Sequence, residues 1–180
     1  KSNLTDWTEF TPDTTWDTTA NGNSPPNEKQ GYWRRVGEEM EIKYSCDFTG
    51  AISSADAFQF CLPKKADGTY YSANTDKLPH NYDGTVPYSV GHMAIRDTGA
   101  ETHTYAGTTG IELINDSGTT EISDQIRVRM YVVDSDGIGI RSLTATGNPG
   151  DIGSIQNSFQ LTATAKIPIE GWSAQDSNFL

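Results

Sequence analysis

Few side chains in this sequence are spaced for chemistry. Three histidines, His80, His92 and His103, are the only imidazoles. They form neither an HxH nor an HExxH pattern, so a metal site would have to be assembled from distant strands. Asp134-Ser135-Asp136-Gly137 looks like the start of a calcium loop, but no glutamate stands at the twelfth position, and a polar β-turn explains it better. Glu38, Glu39 and Glu41, and Glu112 with Asp116, are the densest carboxylate groups. A glycosidase needs two carboxylates about 5–10 Å apart across a cleft; acids alternating along a strand are read as a solvated face. No GxSxG, P-loop or GxGxxG occurs. The sequence therefore implies no catalytic, cofactor or metal residues, and a non-enzymatic protein is expected.

Aromatic residues offer more. Trp7, Trp16, Trp33 and Trp172 could stack on sugars or partners, although core and interface packing is the preferred reading. Tyr70, Tyr71, Tyr82 and Tyr88 differ, because they lie in or beside a stretch, 64–87, rich in Gly, Asn and Asp. Recognition loops share that composition. These four tyrosines are the candidate receptor contacts. Cys46 and Cys61 are read as reduced and buried, since alternation places Cys61 opposite Phe60 and Leu62.

The elements that must position these residues are strands. Met40, Ile42, Tyr44, Cys46 and Phe48 alternate with Glu41, Lys43, Ser45 and Asp47, the pattern of a half-buried antiparallel strand. Ile126, Val128, Met130 and Val132 repeat it, as do Phe159, Leu161, Ala163, Ala165 and Ile167. Shorter strands are expected at 11–16, 57–62, 89–96, 102–105 and 110–114. Asn21-Gly22, Asp67-Gly68, Asp83-Gly84 and Asp136-Gly137 punctuate the chain with turns. Pro168 marks a strand end. No helical periodicity survives the Gly, Pro and β-branched residues, so the fold expected is an all-β sandwich or barrel.

At 180 residues, one main domain is expected. Residues 1–30 would lead in through an N-terminal strand and polar loop, 31–172 would form the β domain, and 173–180 would lead out. The chain starts at Lys1 without Met, as a processed product or a piece of a longer chain would. With 13 Lys and Arg against 24 Asp and Glu, the formal charge is −11. Such a chain repels nucleic acid and anionic membranes. No run approaches the roughly 18 apolar residues of a membrane span.

Two segments carry a family resemblance: Trp33-Arg-Arg-Val-Gly-Glu-Glu-Met-Glu-Ile42, within Gly31–Phe48, and Lys166-Ile-Pro-Ile-Glu-Gly-Trp172, within Leu161–Trp172. Both longer segments read as strands. They resemble modules of tailed-bacteriophage fibres and virion-surface proteins, with Thr11–Trp16 in the place of a Trp-containing first strand. The resemblance implies an antiparallel β-sandwich of jelly-roll type, like the C1q and tumour-necrosis-factor heads, assembled as a homotrimer. It implies a virion location, on tail or capsid, after assembly in the host cytoplasm. The partners implied are other virion proteins and a host surface glycan or protein. A capsid decoration or head-fibre protein and a carbohydrate-binding module of a secreted bacterial protein are the alternatives. A capsule-degrading enzyme is the least expected.

Overall fold

The computed structural model describes residues 5–13, 28–49, 59–78, 88–97, 104–111, 125–134, 137–142 and 158–173. Nine strands run through them: β1 (Thr8–Phe10), β2 (Glu28–Val36), β3 (Glu39–Thr49), β4 (Gln59–Cys61), β5 (Tyr88–Asp97), β6 (Thr104–Ile111), β7 (Gln125–Asp134), β8 (Gly137–Ser142) and β9 (Ser158–Pro168). Helical structure among the described residues is limited to a short 3-10 turn, Thr75–Lys77. All strand pairings are antiparallel. The strands are ordered β1-β2-β3-β9-β5-β6-β7-β4, with β8 also on β7. The all-β, antiparallel expectation therefore holds.

Alternation dictates the inner face. Met40, Ile42, Tyr44 and Cys46 of β3 are buried beside Leu161, Ala163, Ala165 and Ile167 of β9 and Met93 and Ile95 of β5. Phe60, Leu62 and Ile126 join the same core. Burying each large apolar side chain contributes about 1.5–3 kcal/mol. Tyr44 on β3 stacks face to face on Phe60 of β4, with ring centroids 4.5 Å apart and planes 6° apart. Those strands are far apart in the sheet order, so the sheet bends back over its own inner face. The Cys61 amide also donates to the Asp13 carbonyl at 2.8 Å, linking β4 to the residues that follow β1.

Three strand expectations are corrected. Gly31–Phe48 is not one strand but a hairpin, in which Val36 pairs with Glu39 across Gly37-Glu38. Gly37 has φ +65°, which suits the first position of a glycine-led two-residue hairpin loop. The first strand is Thr8–Phe10, just before the expected 11–16; Thr11–Asp13 are not strand, and 14–16 lie outside the described residues. β2 begins within the expected lead-in, where Glu28, Lys29 and Gln30 already pair with β3. The expected 102–105 and 110–114 strands merge, within the described residues, into β6. β9 ends at Pro168, as expected.

A bulge interrupts the regular pairing of β5. Its register against β6 slips between Ser89 and Gly91, which bends the strand. β5 pairs with β9 only from Met93–Ala163 to Asp97–Phe159. Beyond that the two strands part. The buried Thr109 hydroxyl reaches across from β6 to donate to the Thr164 carbonyl at 2.7 Å, and the Thr108 hydroxyl donates to the Gly91 carbonyl at 2.9 Å. A Cβ at Gly91 would lie 1.8 Å from the Thr164 carbonyl oxygen, so only glycine fits this crossing.

Candidate functional site

Two of the candidate receptor tyrosines, Tyr70 and Tyr71, are held in different ways. Residues 63–71 form a small hairpin beyond β4: the Tyr71 amide donates to the Pro63 carbonyl at 3.0 Å and the Lys65 amide to the Thr69 carbonyl at 2.7 Å. Gly68, at φ +87°, allows its tip to close. Asp67 accepts from both the amide and the hydroxyl of Thr69, and those bonds hold its carboxyl below the usual range. Tyr70 donates its hydroxyl to Asp13 at 2.5 Å, and Lys64 pairs with the same carboxylate at 2.8 Å. Lys64, then Tyr70, lower the Asp13 pKa. Its hydrogen bond to the Asp13 carboxylate, then burial, push the Tyr70 phenol up to about 12.

Tyr71 turns inward. Its ring centroid is 5.4 Å from Trp33 and 5.4 Å from Trp172, and the two indoles are 6.2 Å apart. Arg35 caps Trp172 at 4.8 Å and Lys65 lies 5.9 Å from the Tyr71 ring. Tyr88 opens β5 opposite Ile111. Tyr82 lies outside the described residues, as do His80, His103, Trp16, Glu112 and Asp116. The structure thus joins Tyr70 and Tyr71 to the body of the fold.

A different site stands on the outer face. Where β5 leaves β9, an open groove of about 380 Å³ is lined by Trp7, Arg34, Lys43, His92, Thr164 and Lys166, among others. Pairing sets this row: Arg34 faces Glu41, and Glu41 faces Lys166, across β2, β3 and β9. Arg34 binds Glu41 at 2.6 Å, and Lys166 binds Glu39 at 2.9 Å, which raises the lysine's pKa. Trp7, just before β1, lies against two cations: its ring centroid is 4.6 Å from the Arg34 guanidinium carbon and 4.3 Å from the Lys43 ammonium. The charged lining is three cations against Glu41, in a chain of charge −11. It can attract an anion and offers an aromatic surface beside it.

The remaining candidates have structural partners. Glu38 pairs with Lys77 at 2.5 Å, so all three clustered glutamates face cations rather than each other across a cleft. Among the described residues, no three His, Cys, Asp or Glu side chains gather to hold a metal ion. Neither cysteine is in a disulfide; Cys46 is buried, and Cys61 is half-buried rather than buried as expected. Burial pushes the Cys46 thiol up to about 12.

Sequence reasoning missed the groove because Lys43 read only as a wet-face charge, Arg34 and Lys166 only as parts of the two resembling segments, and Trp7 as packing. The signal was the outward phase of Lys43 and Lys166, but their approach to Trp7 depends on pairings between distant strands. Compared with known proteins, the chain matches no family model, no curated protein and no solved structure.

Proposed function

We propose that this chain is a non-enzymatic structural and adhesion module of a bacteriophage virion, a trimeric jelly-roll sandwich in a tail fibre or receptor-binding protein. One observation supports it above others. The two segments that carry the resemblance are far apart in sequence yet form one unit. Glu39, Met40, Glu41 and Ile42 pair with Pro168, Ile167, Lys166 and Ala165, and Trp33 and Trp172 share an aromatic cluster with Tyr71. A likeness confined to two unrelated loops would have had no such physical basis. The bend that stacks Phe60 on Tyr44 supports the sandwich, because two inner faces then share one core. Adhesion would use surfaces exposed on each copy, made avid by threefold repetition.

Light scattering during size exclusion tests the assembly: the expected mass is about three times 19.7 kDa. Antibodies against the chain should decorate particle tails by electron microscopy. A stable monomer that decorates no particle sinks the proposal, whereas labelling of capsids alone would move the module to the head.

A further inference from the structure

The charged side chains and the indole that line the groove on the outer face lie outside the core. The groove's floor is the paired row of β2, β3 and β9, and one wall is β5 where the bulge at Val90 turns it away. Arg34 and Lys166 are neutralised by Glu41 and Glu39. Lys43 is not: it is exposed, and its contact among the described residues is the face of Trp7. A cation held over an indole, and ion-paired to no carboxylate among the described residues, keeps its charge available to an incoming anion.

We infer that the groove binds a carboxylated saccharide, with the sugar ring against Trp7 and its carboxylate on Lys43. The volume, about 380 Å³, lies at the small end of the roughly 300–1,000 Å³ of ligand pockets. Thr164 and the exposed His92 add hydroxyl and imidazole groups at the rim, suited to sugar hydroxyls. The chain's −11 charge disfavours nucleic acid and other dense polyanions, leaving a neutral scaffold with isolated carboxylates. An acidic peptide is a poorer fit, because extended peptides dock by adding to a strand edge. Here the β9 edge accepts Thr109 at Thr164 and is bridged by Ala73 and Asn74 at Ile169 and Pro168. Only 165–167 lie between, too few to template a strand.

The inference rests on the recognition part of the function proposed above and not on the virion assignment. Calorimetric titration of the full chain tests it, using trigalacturonate and a sialylated trisaccharide as probes. The comparisons are the methyl ester of the first, inorganic phosphate and an oligoglutamate peptide. At least one acidic sugar should bind, about tenfold or more tighter than the ester. Lys43→Gln should weaken that binding about tenfold and Trp7→Ala should remove it, while Lys65→Gln on the hairpin leaves it unchanged. Each variant's thermal midpoint is checked, so that lost binding is not lost fold. No binding of either acidic sugar by folded protein overturns the inference. So does equal binding of the ester, phosphate or peptide, or acidic-sugar binding that Lys43→Gln and Trp7→Ala leave intact. Binding of neutral glycans alone would overturn it while leaving the adhesion reading standing, which solution mass and particle labelling decide separately.

Discussion

The hairpin at 63–71 and the groove beside Trp7 hold similar ingredients, aromatic rings and lysines, and use them in opposite ways. In the hairpin the groups are spent on the protein itself: Tyr70 and Lys64 converge on Asp13, and Tyr71 packs against two indoles. In the groove, Trp7 and Lys43 sit on the outer face of a rigid sheet, around a volume that no described side chain fills. Composition alone does not say which groups of a loop are left over for recognition. What matters is whether the polar and aromatic surface is already satisfied from within.

Four substitutions put this contrast at risk. The largest effect is expected at the groove wall: Gly91→Val would drive a side chain into the Thr164 carbonyl. It should cost about 3 kcal/mol or more, read as a fall in the denaturation midpoint, and a native-like midpoint would mean that the strands do not cross as described. Next, Tyr71→Ala should cost about 2–3 kcal/mol, since it removes two aromatic contacts and part of the core's edge. If stability were unchanged, Tyr71 would belong with the contact residues after all.

Tyr70→Phe should cost less, about 0.5–1 kcal/mol after solvent screening. Its clearest mark is in pH. The Tyr70 pKa is raised, so its contribution is whole below the ordinary phenol value of 10.0 and lost as pH rises through about 12. The Asp13 pKa is lowered, so its contribution is present above 3.8 and lost as pH falls through the depressed value. In a phenolate absorbance titration, one late-ionising tyrosine should vanish in the variant. Lys43→Gln should move stability least, by about 0.5 kcal/mol or less, despite its expected effect on sugar binding. A larger drop would make Lys43 a fastener for Trp7 and erase the distinction between the two regions.

The sheet was legible in the residues where one face is wet and the other dry. β3, β7 and β9 announce themselves by alternation, because a one-residue slip would expose Met40, Ile42 and Tyr44. The β2–β3 turn was hidden because Gly37-Glu38 interrupts the alternation by only two residues and Trp33, Arg34 and Arg35 do not alternate cleanly. β1 was misplaced because three residues carry almost no periodic signal. The ion pairs of Glu38, Glu39 and Glu41 could not be read from spacing, since their cations come from Lys77, Lys166 and Arg34 on other segments. The groove was invisible for the same reason: it exists only once β5 and β9 have paired and parted.

Strand β9 sits inside the sheet, between β3 and β5, yet among the described strands it is the last in chain order. A chain emerging from the ribosome would hold the apolar edges of β3 and β5 open until β9 is made. Folding should then wait on late synthesis, through contacts of long sequence separation that close slowly. A nascent chain stalled before residue 158 should be protease-sensitive and in need of chaperone cover, and β9 supplied in trans as a peptide should be able to complete it.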